Sequence, residues 1–288
     1  MTVASTAGIL ASAMACDYAV AAVNVIDDLS IRAVVESAHL ATSPLIVQTS
    51  VKTVRSLGSD FLARSFERAA AQVDVPVSLH LDHCPYRDMI TECLEGGWSS
   101  VLFDASDRSL DDALRETTEV VQQAHAVGAS VESEIENISG VEDEIGSDME
   151  GSRYPVDVVA DFVATTGCDY FAPAVGTAHG IYASTPQLDP GRAAEIADRL
   201  RIPLVLHGGT GLSDADFRRF IDAGCHKVNL STTLKRAYMT SARDFLVDAD
   251  HRGSWDAPAM FAAIREAVAT DLTPHFTIFG SAEAGGTR

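Results

Sequence analysis

Lysine is scarce in this chain, with Lys52, Lys227 and Lys235 the only three among 288 residues. That scarcity leaves little for Schiff-base catalysis, which needs a lysine amine in the active site. Only Lys52 is placed to serve, because Lys227 reads as a strand start away from the active face and Lys235 as helix interior. Cations are outnumbered overall: 21 Lys and Arg stand against 41 Asp and Glu, for a formal charge of -20. Such a surface repels nucleic acid and anionic membranes, so neither is an expected partner. No run of 18 apolar residues occurs that could span a bilayer. The segment from Ile9 to Cys16 is small and apolar in the manner of a secretion signal, yet no Lys or Arg precedes Arg32, and the basic start of such a signal is missing. A short capping helix is expected there. Five cysteines, odd in number and without a C-x-x-C pair, fit reduced thiols in a soluble, cytoplasmic protein and exclude a disulfide frame or a cysteine zinc site.

What the chain does have is apolar content, 47%, with a mean hydropathy of +0.09, enough to fill a sizeable core. Its length suits one α/β barrel, which takes about 250 residues, and a single (β/α)8 domain over 1–288 is expected. Short β-prone runs alternate with longer helical ones, the pattern of parallel βαβ units. The strands are Tyr18 to Val25, Leu45 to Gln48, Val77 to Leu81, Ser100 to Phe103, Ser130 to Glu132, Tyr170 to Ala172, Leu204 to Leu206 and Lys227 to Asn229. Eight strands close a TIM barrel. Helical patterns cover Ile31 to His39, Thr53 to Ala71, Arg87 to Glu95, Asp111 to His125, Val156 to Thr165, Ala193 to Arg201, Asp214 to Asp222 and Leu234 to Ala249. A last helix, Pro258 to Asp271, falls outside the count. The expected fold is therefore α/β, a (β/α)8 TIM barrel with an extra N-terminal helix and a C-terminal helical extension.

On that frame Asn24, Ser50, Asp82 with His83, Asp104, Glu134, His179, His207 and Asn229 fall at or just past the C-terminal ends of successive strands, the active-site face of a barrel. In His80-Leu81-Asp82-His83-Cys84, alternation puts His80 and Asp82 on one face, and His83 opens the following turn. His83, His179 and His207 come from three strand ends, and three imidazoles leave a fourth position open on a tetrahedral divalent metal, the mark of a catalytic site. His39, His125 and His251 lie on helical patterns, His226 precedes its strand and His275 lies in the tail. Gly176-Thr177-Ala178-His179-Gly180 and His207-Gly208-Gly209-Thr210-Gly211-Leu212-Ser213 have the look of anion cradles, since glycine lets backbone N–H groups approach a ligand closely. Phosphate is the natural ligand. The loop from Glu136 to Asp148 reads as a solvated acidic surface loop, or as a lid that brings one carboxylate to a substrate proton.

These residues carry a resemblance. His80-Leu81-Asp82-His83-Cys84, Val141-Glu142-Asp143, Gly176-Thr177-Ala178-His179-Gly180, Leu206-His207-Gly208-Gly209 and Lys227-Val228-Asn229 resemble, in order and spacing, the class II, metal-dependent fructose-bisphosphate and tagatose-bisphosphate aldolases. The resemblance implies a lyase that splits a ketose phosphate into dihydroxyacetone phosphate and an aldehyde. It implies Zn2+ on His83, His179 and His207, with Asp104 and Glu134 holding a displaced or second metal ion. Asp82 would be the acid/base on the hydroxyl that becomes the aldehyde, and Glu142 would exchange the proton of the dihydroxyacetone phosphate carbon. Gly180, Gly208, Gly209 and Thr210, with Asn229, Leu230, Ser231 and Thr232, would hold the phosphate and enediolate end, near a monovalent cation (Na+ or K+). Asn24 and Ser50 match positions close to the substrate, and a homodimer or homotetramer is implied.

Departures from the family pattern are specific. The segment from Glu134 to Gly140 is less glycine-rich than usual. Ser231 stands where fructose-specific members often carry Asp. The tail from Gly280 to Arg288 lacks the clear basic residue that relatives use for a second phosphate unless Arg288 serves, so a substrate with one phosphate fits. Two other readings are a barrel metal hydrolase, which needs a His-x-His pair on the first strand where Val23-Asn24-Val25 stands, and a non-catalytic sugar-phosphate-binding barrel, which has no need of Asp82.

Overall fold

The structure is a computed structural model that describes residues 3–138, 140–142, 145–147, 153–180 and 186–286, with side chains left out between 139 and 152. The chain begins α1 (Thr6–Ala15), β1 (Val20–Asn24), α2 (Asp28–Leu40), β2 (Leu45–Ser50), α3 (Val51–Leu57) and α4 (Ser59–Ala70). It continues β3 (Val77–Cys84), α5 (Arg87–Glu95), β4 (Ser100–Asp104), α6 (Leu110–Ala126), β5 (Ser130–Glu134), β6 (Gly140–Glu142) and β7 (Ile145–Ser147). It ends α7 (Val156–Thr166), β8 (Tyr170–Phe171), α8 (Pro190–Leu200), β9 (Leu204–Leu206), α9 (Asp214–Asp222), β10 (Cys225–Leu230), α10 (Thr232–Arg252) and α11 (Ala257–Ile278).

Eight of these strands close a parallel barrel in the order β1-β10-β9-β8-β5-β4-β3-β2, while β6 and β7 form a separate antiparallel ribbon. The expected (β/α)8 barrel, N-terminal helix and C-terminal helical extension are all present. The βαβ alternation made the strands legible because each is fully buried and bounded by polar helix caps, such as Ser109, Ser213 and Asp27. One helix expected over Thr53 to Ala71 is two, broken at Gly58, whose φ of 88° belongs to the left-handed side that glycine alone adopts readily. The last helix runs longer than its pattern suggested and carries Pro274 inside it, because Val268, Leu272 and Phe276 keep one face packed at helical spacing past that residue.

The barrel interior divides into two decks. At the floor, Ile9, Leu10 and Ala13 of α1 pack on Val20, Ala22, Ile46, Tyr170, Ala172 and Val205, so the expected capping helix acts as the plug. Above it lies a belt of hydroxyls, where Thr6 Oγ1 donates to Ser78 Oγ and accepts from Ser100 Oγ, and Ser130 Oγ meets the Tyr170 hydroxyl at 2.7 Å. Higher still the register aligns Ser50 with Asp82 and Asp104 with Glu134, which sets the polar residues in one rim at the C-terminal ends of the strands. Among the described residues no helix is long and apolar enough to cross a membrane.

Candidate active site

Strict alternation along β3 would send Asp82 and His83 to opposite faces. The structure brings both to the mouth by a register shift between Leu81 and Cys84, with His83 at φ 42°, a rare value for a residue with a Cβ. Backbone of this kind costs of order 1–3 kcal/mol and persists where its surroundings dictate it. Asp82 is buried and held by two amides: Asn24 Nδ2 donates to its Oδ2 at 2.8 Å and Asn229 Nδ2 to its Oδ1 at 3.2 Å. Gln48 Nε2 in turn donates to Asn24 Oδ1 at 2.5 Å. The carboxylate is thus fixed by neutral donors from β1 and β10.

His83, His179 and His207 converge as expected, with ring centroids 4.6 to 5.9 Å apart. His83 Nδ1 lies 3.1 Å from Asp104 Oδ2, and His207 Nε2 lies 2.8 Å from Glu132 Oε1. A proton on each of those outer nitrogens satisfies its carboxylate and leaves His83 Nε2 and His207 Nδ1 as lone pairs, facing each other at 2.8 Å. Two imidazole lone pairs that close repel unless a cation lies with them, and a carboxylate behind each ring is the usual support of a metal-bound histidine. The three ring nitrogens lie within 4.8 Å of one another, as do ligand atoms of His83, Asp104 and Glu134. Glu134 Oε2 is buried without a hydrogen-bond partner among the described residues and points within 3.5 Å of His207 Nδ1. Donor type, tautomer and this orphaned carboxylate oxygen all fit a zinc ion on the three histidines, with a second cation position toward Asp104 and Glu134.

Titration follows from the same crowding. Burial works against a charged His83 ring, but Asp82, Asp104 and Glu134 around it hold its pKa well above the ordinary range. Burial and the neighbouring Asp104 push Glu134 well up. Burial would also raise Asp104, yet the hydrogen bond from His83 and those from Ser106 bring it down to about 2. Burial, with His83 opposite, holds His207 well below its usual value. In the metal-free protein the mouth therefore already draws a proton to where a cation would sit.

The remaining expected residues are distributed around this centre. Gly208 has φ 67°, and a Cβ there would lie 2.4 Å from the Ala178 carbonyl oxygen, so the two glycine-bearing turns pack back to back at the cost of any side chain. Gly180, Gly209 and Thr210 lie on those turns, with Gly180 at φ 79°. Ser231, Thr232 and the residues after it begin α10, and the Ser231 hydroxyl is buried without a hydrogen-bond partner among the described residues and caps nothing. Leu230 ends β10 with its side chain in the core. Ser50 caps α3, accepting from Thr53 N at 3.4 Å, and stands in register with Asp82. Glu142 lies on β6, and its side chain falls outside the described residues.

Four functional neighbours escaped the sequence reading. Lys227 is not away from the active face: it is fully buried and donates to Glu132 Oε2 and to Asn229 Oδ1, each at 2.8 Å. Glu132, read as mere strand, joins Lys227 to His207. Both could have been found by parity, since Glu132 and Glu134, like Lys227 and Asn229, are two apart and so share a face. Gln48 has the same relation to Ser50. Glu136, at the start of the loop read as solvated or as a lid, is fully buried and paired with Arg192. His80, on the same face as Asp82, has its Nδ1 2.7 Å from Ser100 Oγ and its Nε2 facing Glu132. His226 lies within β10, not before it.

The sequence profile of fructose-bisphosphate aldolase class-II matches residues 4–284. The chain belongs to the class-II fructose-bisphosphate aldolase family. It is a lyase whose reaction is aldol cleavage, and the hydrolase and binding-protein readings lose their ground. A curated relative, the D-tagatose-1,6-bisphosphate aldolase subunit GatY of Klebsiella oxytoca, is 34% identical over 272 residues, 93% of this chain and 95% of the relative. A solved structure from Coccidioides immitis, described as a fructose-1,6-biphosphate aldolase, superposes with a TM-score of 0.89 at 26% identity, covering 97% of each chain. The YdjI aldolase of Escherichia coli K12 gives 0.84 at 28%, over 99% of this chain and 100% of that one. Zinc dependence is a general property of class-II aldolases, and the histidine cluster is a group that could hold a metal ion.

Proposed function

We propose that this aldolase cleaves a ketose 1-phosphate skeleton to dihydroxyacetone phosphate and an aldehyde at the mouth formed by β3, β8, β9 and β10, with D-tagatose 1,6-bisphosphate the first substrate to try. The observation that carries the reading is the convergence of three imidazoles, two of them backed by carboxylates, beside the amide-held Asp82. His83, His179 and His207 would hold a zinc ion, which would supply a Lewis acid for the substrate carbonyl.

The chain's own residues do the rest. Asp82 takes the proton of the hydroxyl that becomes the aldehyde, and Asn24 and Asn229 hold its oxygens so that it approaches the substrate in one orientation. Glu142 exchanges the proton at the dihydroxyacetone phosphate carbon. Gly180, Gly208, Gly209 and Thr210 present backbone N–H groups to the phosphate, together with the first turn of α10 at Ser231 and Thr232, where no side chain caps the helix. Lys227 holds Asn229 and Glu132 at once, keeping an amide and a carboxylate in register with Asp82 and His207. The relative GatY supports the tagatose choice, and Ser231, where fructose-specific members often carry Asp, favours a hydroxyl configuration other than that of fructose.

A coupled assay of dihydroxyacetone phosphate release from D-tagatose 1,6-bisphosphate, fructose 1,6-bisphosphate and ketose 1-phosphates tests this directly. The expected result is release from at least one of them, with the tagatose substrate ahead of the fructose one. Release from none, with zinc bound, would refute the reading; a preference for fructose 1,6-bisphosphate would refute the tagatose choice alone.

A further inference from the structure

Glu136 lies just past β5, where the family pattern is richer in glycine and where a solvated loop was expected, yet it is fully buried. Each of its bonds goes to a different part of the fold. Its Oε1 accepts from Tyr154 N at 2.7 Å and from Arg192 Nη2, and its Oε2 accepts from Ala174 N at 2.8 Å. Arg192 closes the figure by donating to the Tyr154 carbonyl at 2.9 Å. Burial raises the Glu136 pKa against the pull of those donors.

The positions of these partners matter more than their number. Glu136 and Tyr154 are the two ends of the connection from β5 to α7. Ala174 opens the connection from β8 to α8 and Arg192 lies in the first turn of α8 at its far end, and the neck between them is also tied by Asp189 N donating to Val175 O at 2.8 Å. One carboxylate thus pins both ends of two neighbouring connections. The second of them carries His179 and Gly180, and its Ala178 backbone packs against Gly208 beside His207. A shift at Ala174 would be passed to His179 along a short, closely packed run that includes buried Val175 and Thr177.

We propose that Glu136, through Arg192, is a positioning residue for the aldolase reaction: its clamp on Ala174 and Tyr154 sets where the β8–α8 connection delivers His179 and Gly180 to the metal and phosphate. The proposal rests on the reading of His179 as a metal ligand. It gives a buried carboxylate outside the ligand set a role that a solvated loop residue could not have. A neutral amide at 136 can no longer accept from both backbone N–H groups and the guanidinium, so the connection is released without loss of bulk.

The test compares wild type, Glu136→Gln, Arg192→Met and His179→Ala by zinc affinity in chelator competition, by kcat and KM separately, and by thermal unfolding. Expected is a fall in zinc affinity of about 10-fold or more in both clamp variants, in the range seen when supporting residues of a metal site are lost, with kcat lowered and KM raised. A merely structural residue would lower the unfolding temperature and leave zinc affinity and KM where they were, and that result overturns the proposal. Should Glu136→Gln fail to fold, Arg192→Met carries the same comparison. If His179→Ala binds zinc as tightly as wild type, the reading of the site itself fails; if it loses zinc while both clamp variants keep wild-type affinity, only the clamp fails.

Discussion

The floor and the mouth of this barrel are built from the same eight strands and differ in almost every physical respect. The floor holds Ile9, Leu10, Val20, Ile46 and Val205, a packed apolar deck stoppered by one helix. The mouth holds Asp82, Asp104, Glu132 and Glu134, with Lys227 paired to Glu132, and all five are buried. Four buried carboxylates with one buried ammonium among the described residues cannot all be charged in a dry site unless other cations join them. The raised pKa values of His83 and Glu134 express that imbalance in protons, and a metal ion at the proposed site would answer it in function. Stability resides at the floor, then, and chemistry at the mouth.

The largest separation of the two should come from Asp82→Ala. We expect kcat to fall by about 10²- to 10⁴-fold, the usual contribution of a positioned proton carrier, with zinc content unchanged by elemental analysis. An unchanged kcat would remove Asp82 from its role. At the floor, Leu10→Ala should cost about 2–5 kcal/mol in denaturant unfolding, while kcat/KM at a temperature where it stays folded remains that of wild type. Glu132→Gln, one step behind His207, the proposed metal ligand, should weaken zinc binding about 10- to 100-fold in chelator competition, because the amide can no longer serve His207 and Lys227 as one anion.

The smallest expected effect concerns the boundary between the decks. Burial, with Lys227 nearby, holds His80 well below its ordinary pKa. The folded protein thus keeps this ring neutral where the unfolded chain would protonate it, so the unfolded state binds more protons below about pH 6.5 and stability falls as pH drops from there. For one such group the slope is at most about 1.4 kcal/mol per pH unit. Metal-free wild type should show a steeper decline from pH 6.5 to 5.5 than His80→Asn in denaturant titrations, and equal slopes would contradict it.

How far the sequence revealed this contrast depends on which deck is considered. The strands and most helices were legible because their patterns are local: buried β-prone runs, caps such as Ser213, and stops at glycine. The three histidines were legible because they follow or end barrel strands, His207 directly after β9, His83 at the end of β3 and His179 further along the connection after β8. What alternation could not reveal was the register shift that turns His83 beside Asp82, since a bulge depends on the neighbouring strand. Lys227 was misplaced because a charged residue at a strand start looks solvated until the barrel closes over it. Glu136 was hidden for the opposite reason: its partners Tyr154, Ala174 and Arg192 lie far along the chain, and only the folded barrel gathers them.

Most direct is a count of zinc per chain alongside dihydroxyacetone phosphate release, made on the native enzyme, after exhaustive chelation, and after zinc is returned. One catalytic zinc per chain is expected, with release abolished by chelation and restored by the metal, and with His83→Ala and His207→Ala unable to recover either. Full release in the chelated enzyme, or covalent trapping of substrate by borohydride on a lysine, would contradict a metal centre at the barrel mouth.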